Sequence, residues 1–397
     1  MNLSRFGITS LGLMAVITHS SAFAGPQRLA LAWDDFRAGA GMVQRMETSA
    51  PWNLIGEPVA VGRQPVLREG FGKLYAVSQS DSQLDVVNVG DWSVAQTFEL
   101  PPGTEPMDVA VVNPTTAYLT PRLGTHLLRL DLATGATEPV VDLSVFANDD
   151  GIPDLGMMAE HEGRLFVQIR RERHGEFTYE PPALLAVVDL ATESLIDVDP
   201  ARDGVQAIQL SGTAPKFKMQ VQPETNQLLV GATGGGLDDG GIEAIDLNAL
   251  TSEGLIVEEA RRETGLDLGG FVMVTPEHGF LAYTTDLTLS SHLHKFHRDG
   301  TVEPEQLHVG TEFLATTLIY EAATNSLFFP NGGGEDGVFV FDATTGAQIS
   351  RERIATPSGV LDMALVPEPG TWGAAVMFAL AGAARGARHS RWKRRHQ

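Results

Sequence analysis

Short apolar runs of four or five residues recur along the chain at a nearly constant distance. Six of them have the composition of β-strands, at residues 73–77, 117–120, 164–167, 227–230, 279–283 and 326–329. Their second residues, at 74, 118, 165, 228, 280 and 327, are 44, 47, 63, 52 and 47 positions apart. Because the four-stranded blades of a β-propeller repeat at about 40 to 50 residues, the pattern predicts a propeller whose third unit carries an insertion.

Further strand-like segments flank these runs. Residues 107–112, 219–221 and 271–274 precede a run, and residues 127–131, 185–189, 242–246 and 338–342 follow one. Three of the following segments end in an Asp-x-x-Thr sequence, at Asp131, Asp189 and Asp342. Since a carboxylate at such a turn accepts hydrogen bonds from nearby backbone N–H groups, we predict that these aspartates are structural.

The two ends of the body complement each other. Residues 28–31 resemble another second strand, 45 positions before Leu74, but no strand precedes them in the body. A suitable first strand occurs at residues 361–365, whose Leu-Asp-Met-Ala-Leu sequence matches the Met-Asp-Val-Ala-Val of 107–111. We therefore predict an all-β, seven-bladed β-propeller over residues 25–365, in which the N- and C-terminal strands close the ring, with six blades as the alternative.

Composition limits the chemistry of this body. The 397-residue chain has no cysteine, so disulfides and thiolate sites are excluded. The net charge of the chain is −22. The basic cluster at its C-terminal end lies outside the propeller, so without the two ends the body has a charge near −28, from 21 basic and 49 acidic residues. Such a charge repels phosphate backbones, which argues against nucleic-acid binding and favours cations as small partners.

The first 24 residues have the three parts of a secretory signal peptide. Arg5 gives a positive start, residues 8–17 are apolar, and residues 22–24 read Ala-Phe-Ala. This order predicts cleavage between Ala24 and Gly25 by a signal peptidase.

The last 32 residues also contain three parts in order. Residues 366–371 read Val-Pro-Glu-Pro-Gly-Thr, residues 372–384 are apolar, and residues 385–395 are rich in arginine. This arrangement resembles the PEP-CTERM sorting signal, with Pro367, Glu368 and Pro369 as the motif. The resemblance implies transient membrane anchoring, processing by an exosortase-type peptidase, and delivery to the surface of a Gram-negative bacterium that makes exopolysaccharide, as in biofilms. A simple C-terminal membrane anchor is the alternative.

The body itself is similar to bacterial surface propellers of the YVTN type. The similarity rests on strands such as Leu-Tyr-Ala-Val at 74–77 and turns such as Asp-Leu-Ala-Thr-Gly at 131–135. Proteins of many functions share these repeats, so the resemblance implies a fold and not a chemistry.

Acidic loops on one face of the propeller are candidates for binding Ca²⁺, which takes six to eight oxygen ligands in adaptable geometry. They fall in loops between second and third strands or between blades, and the alternative is that Asp, Asn and Gly simply form turns there. The candidate ligands are Asp149, Asp150, Asp154, Asp238, Asp239, Glu335 and Asp336.

Two further segments carry candidate binding groups. The insertion at residues 170–182 concentrates arginine, glutamate and aromatic residues, and we consider either binding of an anionic sugar or partner protein, or a salt-bridged hairpin. His292 and His294 are two apart on a predicted strand, where they share a face, but no third metal ligand is evident.

No catalytic residue can be assigned from the sequence. It contains no Gly-x-Ser-x-Gly elbow, Walker loop or His-Glu-x-x-His motif. The leading hypothesis is a cell-surface or matrix propeller that binds a glycan, a protein or a cation as a scaffold. The alternative is a secreted metal-dependent hydrolase or lactonase that uses the central channel.

Overall fold

The protein is a ring of seven β-sheets. Its structure, a computed structural model, describes residues 27–173, 178–234, 239–259, 266–285, 290–310, 317–332 and 335–368. Within these ranges the chain forms 31 β-strands and a short 3-10 turn at Ser144–Phe146, and it has no α-helix. The fold is therefore the seven-bladed β-propeller that the repeat pattern predicted, rather than the six-bladed alternative.

Blade 1 combines the two ends of the described chain. Its strands, from the axis outwards, are β31 (Asp362–Pro367), β1 (Gln27–Asp35), β2 (Ala40–Glu47) and β3 (Leu54–Val61). Blades 2 and 3 are continuous. Blade 2 contains β4 (Pro65–Gly70), β5 (Lys73–Ser78), β6 (Gln83–Asn88) and β7 (Ser93–Glu99), and blade 3 contains β8 (Pro106–Asn113), β9 (Thr116–Pro121), β10 (His126–Asp131) and β11 (Thr137–Asp142).

Blade 4 carries the insertion. Its strands are β12 (Leu155–His161), β13 (Arg164–Ile169), β16 (Leu184–Asp189) and β17 (Ser194–Leu195), and β18 (Ile208–Gln209) also pairs with β16. Between β13 and β16 the chain forms a separate hairpin of β14 (Glu172–Arg173) and β15 (Thr178–Tyr179). The predicted insertion in the third repeat unit is thus confirmed as an additional hairpin.

Blades 5, 6 and 7 complete the ring. Blade 5 contains β19 (Gln220–Gln222), β20 (Gln227–Ala232), β21 (Gly241–Asp246) and β22 (Thr251–Glu258), and blade 6 contains β23 (Leu266–Met273), β24 (His278–Thr285), β25 (Ser291–His297) and β26 (His308–Val309). Blade 7 contains β27 (Ile319–Glu321), β28 (Ser326–Asn331), β29 (Gly337–Asp342) and β30 (Ile354–Ala355). The six apolar runs that set the repeat all lie in second strands.

The pairing of the two end strands completes blade 1. Strand β1 runs antiparallel to β31, with Gln27 opposite Pro367 and Ala32 opposite Asp362. Hydrogen bonds between these strands join the ends within one sheet, but they do not join one sheet to the next. Our expectation that the end strands close the ring is corrected in this respect, because contacts between blades are made by side chains and not by pairing of strands.

The hydrophobic core is divided among the contacts between neighbouring blades. Seven clusters of buried side chains occur among the described residues, one for each pair of adjacent blades. The cluster between blades 7 and 1 includes Trp33, Phe328 and Met363, and the cluster between blades 1 and 2 includes Val366. Each buried side chain of this size contributes about 1.5 to 3 kcal/mol, so strand β31 stabilises two of the seven contacts.

The Asp-x-x-Thr turns have the structural role that we predicted. Asp131 Oδ1 accepts hydrogen bonds from the backbone N–H groups of Ala133 and Thr134, at 2.8 and 2.9 Å. Asp189 and Asp342 accept equivalent bonds. These backbone hydrogen bonds hold the pKa of each carboxyl below its usual value.

Loops that join second to third strands, and linkers that join successive blades, lie on one face of the ring, which we call the upper face. The insertion hairpin is one of these loops. The first strands run downwards from this face along the axis, so their first residues surround the upper mouth of the central channel.

We predict that the body requires strand β31. A chain that ends after Leu361 should lose the partner of β1 and the buried Met363 and Val366, whereas a chain that ends after Glu368 keeps them. The expected loss is roughly 5 kcal/mol or more in the free energy of unfolding, measured by chemical denaturation. Equal stability of the two chains would contradict this role.

Candidate functional site

Two aspartates on first strands connect neighbouring blades at the axis. Asp362 of blade 1 and Asp108 of blade 3 are buried, with 4% and 0% of their surface exposed. Asp362 Oδ2 accepts the N–H of Leu67 in blade 2, and Asp108 Oδ2 accepts the N–H of Met158 in blade 4, both at 2.7 Å. The matching sequences at 361–365 and 107–111 therefore place the same contact in two blades.

Arg68 neutralises Asp108. Its Nε and Nη2 atoms donate to the two carboxylate oxygens at 2.7 and 2.5 Å, and Nη2 also donates to the Met158 carbonyl at 3.4 Å. Burial disfavours the charged guanidinium, but the Asp108 carboxylate outweighs this effect and raises the pKa of Arg68. One arginine thus links blades 2, 3 and 4.

Lys218 neutralises Asp362 from the other side of the ring. Its Nζ lies 2.8 Å from Oδ1 and 2.6 Å from Oδ2, and it also donates to the carbonyls of Leu67 and Met363. Blades 5 and 1 are not neighbours, so this ion pair crosses the axis. Burial lowers the pKa of Lys218, and the Asp362 carboxylate opposes that shift.

Thr317, just before blade 7, completes the partners of Asp362 by donating from Oγ1 to Oδ1 at 2.6 Å. We call Arg68, Asp108, Lys218, Thr317 and Asp362 the axial network. Its acids accept hydrogen bonds from cations and backbone, and its cations donate to acids and carbonyls. These groups hold blades together through hydrogen bonds to one another. A catalytic base or nucleophile, by contrast, needs an atom that is free to contact the substrate.

A second buried charge cluster lies under the insertion hairpin. Arg170 Nη2 donates to Glu172 at 2.5 Å, and its Nε lies 3.3 Å from Asp154 Oδ2. Arg122 approaches Glu172 at 3.4 Å and Asp154 at 3.8 Å. We call these four residues the hairpin cluster. The insertion is therefore the salt-bridged hairpin that we considered, with part of its charge buried.

The pKa of Asp154 reflects this burial. Removal from water raises it to about 6, although the charges of Arg170 and Arg122 oppose the rise. Asp154 also has a left-handed backbone, with φ of 56°. Its carbonyl accepts the N–H of Arg170 at 3.0 Å, so the blade linker and the insertion are joined at this residue.

The linker at residues 148–154 supports the hairpin through a second contact. The Asn148 side-chain amide donates to the carbonyls of Arg171 and Glu172, both at 3.3 Å. Asp149 is exposed and lies 3.9 Å from Arg173, and Asp150 Oδ1 accepts the N–H of Ile152. Two segments that the sequence analysis treated separately thus form one surface of the upper face.

The predicted Ca²⁺ ligands are spread over three blade positions. Asp149, Asp150 and Asp154 lie between blades 3 and 4, Asp239 lies in blade 5 and accepts from Thr213 at 2.8 Å, and Glu335 and Asp336 lie in blade 7. Asp238 lies outside the described residues. In the described part of the chain no three His, Asp or Glu side chains form a group that could hold a metal, and Ca²⁺ binding stays a prediction.

His292 and His294 lie on the same strand, β25, as predicted. His292 Nε2 lies 2.9 Å from the Ser290 hydroxyl, and His294 Nδ1 lies 3.1 Å from the Glu303 carbonyl. The His294 ring also packs edge-on against Tyr283. Both rings therefore have local partners within and next to blade 6.

The predicted processing sites fall at the edges of the described chain. Pro367 ends strand β31, and Glu368 pairs with Arg28 at 3.0 Å. Pro369, Ala24 and Gly25 lie outside the described residues, as does the apolar segment at 372–384. Among the described residues, none belongs to a helix that could span a lipid bilayer.

A cavity of about 270 Å³ opens at the upper mouth of the channel, directly above the axial network. Lys216, Lys218, Thr317 and Asp362 line it together with Gln64, Gln79 and several apolar side chains. Neither this cavity nor its two lysines were predicted from the sequence. A usable signal was present, because two of only five lysines in the chain lie two residues apart, at 216 and 218.

A larger open groove of about 1040 Å³ lies on the opposite face, between blades 3 and 4. Three of its charged side chains are paired: Glu193 accepts from the Tyr118 hydroxyl at 2.8 Å and from Arg129, which also contacts Glu138. These contacts stabilise the groove walls.

Comparisons with known proteins identify the fold. No family model matches this chain, and no curated protein does. A crystal structure named "putative 6-phosphogluconolactonase" from Bacteroides fragilis is similar, with a TM-score of 0.58 and 12% identity over 87% of this chain and 99% of that one. A protein from Lactobacillus plantarum has a TM-score of 0.54 and 15% identity, with 86% and 99% covered. At these identities the similarity concerns the propeller fold alone.

We predict that removing one acid of the axial network destabilises the ring. Asp362→Asn leaves Lys218 buried beside a neutral amide, and Asp108→Asn does the same to Arg68, so each should cost about 3 kcal/mol in the free energy of unfolding. The control is Asp81→Asn, which breaks the exposed Arg63–Asp81 pair and should cost less than about 1 kcal/mol. Denaturant titration measures all three, and similar losses in all three would contradict the role of the network.

We also predict that Asp154 contributes to the pH dependence of stability. Its folded pKa of about 6 lies above the usual value of 3.8, so the folded protein retains a proton that the unfolded chain releases, and stability falls as the pH rises between these values. The free energy of unfolding of Asp154→Asn, relative to that of the parent, should therefore increase by up to about 3 kcal/mol as the pH rises from 4 to 7.

The control for this measurement is Asp149→Asn, in the same linker, whose side chain is 94% exposed. Denaturation at several pH values should give a curve of unfolding free energy against pH that is parallel to that of the parent. A parallel curve for Asp154→Asn as well would show that Asp154 has an ordinary pKa.

Proposed function

We propose that this chain is an exported propeller of the cell surface or extracellular matrix that acts as a binding scaffold and not as an enzyme. The observation that carries the proposal is the axial network. In propeller enzymes the reacting groups gather at the channel, whereas here Arg68, Asp108, Lys218 and Asp362 bind one another and the backbones of adjacent blades. Such groups favour a rigid disc with its binding surface elsewhere.

The upper face is the surface that we propose for a glycan or protein partner. The insertion hairpin and the linker at residues 148–154 form one continuous surface there, held by Asn148 and Asp154. Arg173 at its edge has 46% of its side chain exposed, in a protein with a net charge of −22. Because long loops on rigid scaffolds commonly carry binding function, this surface is the best candidate for contact with an anionic sugar or an acidic protein segment.

Export is proposed from the two ends of the sequence. The signal peptide ending at Ala24 and the sorting motif at Pro367, Glu368 and Pro369 would direct the chain through the inner membrane and to an exosortase-type peptidase. The resemblance to the PEP-CTERM signal and to YVTN-type propellers supports a surface location. The ion pair between Glu368 and Arg28 supports processing close to the folded disc.

Intact-mass spectrometry of protein released from the cell surface tests this proposal. We expect a mature chain that begins at Gly25 and ends near Pro367, because the two signals would then have been removed. A released chain that still contains Arg394 and Arg395 would contradict sorting by this tail, and protein found only inside the cell would contradict export.

A further inference from the structure

We propose that the cavity at the upper mouth of the channel binds a small organic carboxylate with an apolar body, and that Lys216 binds its charged end. The inference goes beyond the scaffold function, because it concerns a small molecule at the axis and requires neither export nor a polymeric partner. It rests on the lining of the cavity, on the different environments of its two lysines, and on the charge around Lys216.

The walls of the cavity are mostly apolar. At about 270 Å³ it is slightly smaller than the range of about 300 to 1,000 Å³ that is usual for small-molecule sites, and such sites combine apolar walls with a few polar groups. The apolar contribution comes from Pro65, Val66, Met107, Met157, Phe217 and Leu361. Walls of this kind favour a hydrocarbon body over a fully hydrated ion.

The two lysines of the cavity have different partners. Lys218 is paired with Asp362, so its charge is neutralised within the axial network. Lys216 lies two residues away along the same segment, and it makes no ion pair or side-chain hydrogen bond within the described ranges of the chain. The amide of Gln79 on the opposite side of the mouth likewise makes no hydrogen bond to the described residues. The cavity therefore contains available hydrogen-bond donors.

The surroundings of Lys216 favour an added negative charge. Burial lowers the pKa of its ammonium group, and the charges of Arg170 and Arg122 lower it further, while Glu172 and Asp267 act in the opposite direction. A half-buried ammonium that lines an apolar cavity gains a strong hydrogen bond when a carboxylate binds to it. This contrasts with the groove on the opposite face, where Arg129 is already paired with Glu138 and Glu193.

Binding measurements on the purified full-length chain test the inference, with benzoate as the probe. Benzamide has the same shape without the charge, and inorganic phosphate has charge without an apolar body. We expect benzoate to bind more tightly than either compound in isothermal titration calorimetry. Binding of benzamide or phosphate as tight as that of benzoate would overturn the proposed ligand class, and so would the absence of benzoate binding at millimolar concentration.

Two variants locate the site. Lys216→Met removes the charge and keeps the length of the side chain, so it should weaken benzoate binding about tenfold or more, as expected for a hydrogen bond to a charged group. Lys295→Met is the matched control, since Lys295 lies on blade 6 near Glu303 and should leave binding unchanged. Unchanged affinity in Lys216→Met, or an equal loss in both variants, would overturn the assignment.

A third variant tests the walls independently of charge. Leu361 lines the cavity and is 42% exposed, so Leu361→Trp should fill space at the mouth without disturbing the core. It should reduce benzoate binding by a similar factor while the melting temperature stays near that of the parent. Full benzoate affinity in a folded Leu361→Trp chain would place the ligand elsewhere, whereas failed processing in the intact-mass experiment would concern only the proposed export.

Discussion

The ion pair between Lys218 and Asp362 is the interaction on which the centre of this ring depends. It crosses the axis, and the same carboxylate also accepts hydrogen bonds from Leu67 and Thr317, so four blades converge on one side chain. A charge removed from water must be matched by an opposite charge and by hydrogen bonds, or it destabilises the fold. That requirement fixes how the first strands of blades 1, 2, 5 and 7 approach one another.

This constraint complements the hydrophobic packing between blades. Packing between adjacent sheets is non-directional and acts only on neighbours, as in the clusters around Trp33 and Phe328 or around Val366. The axial hydrogen bonds are directional, and Lys218 reaches a blade that is not its neighbour. Together, the hydrophobic packing and the axial hydrogen bonds specify both the contact between sheets and the relative height of the strands at the axis. Strand β31 takes part in both, because it contains Asp362, Met363 and Val366.

Sequence reasoning succeeded where a structural cause is local. A strand needs only its own alternation and its turns, so the second strands and the turns at Asp131, Asp189 and Asp342 could be predicted. The pairing of β1 with β31 could also be predicted. Residues 28–31 lacked a preceding first strand, and residues 361–365 resembled a first strand that had no blade of its own. The contacts of Asp362 and Asp108 with other blades could not be predicted. We recognised their similar strands, but the partners of Asp362 lie 144 residues away at Lys218 and 295 residues away at Leu67.

The candidate binding groups show the same division. The linker at residues 148–154 and the insertion at 170–182 were each identified by composition, yet their contact through Asn148 and Asp154 depends on the distance between two loops, which a single sequence does not contain. The apolar lining of the channel mouth was not predicted, because its residues have no unusual composition. Met107, Met157 and Phe217 are ordinary residues for strands, and only the ring places them around one cavity.

Lys216 and Lys218 have different partners although both line the cavity at the channel mouth. The chain runs downwards along the axis into β19, so Lys216 lies above Lys218. Lys218 pairs with Asp362 and becomes part of the frame, whereas Lys216 lies above the network, where the charges of Arg170 and Arg122 lower its pKa. An acid within hydrogen-bond distance of Lys216 would have made the mouth as neutral as the network below it. Because the described chain provides no such ion pair, the ring keeps an available cation above a fully paired support, and rigidity and binding capacity can coexist at one axis.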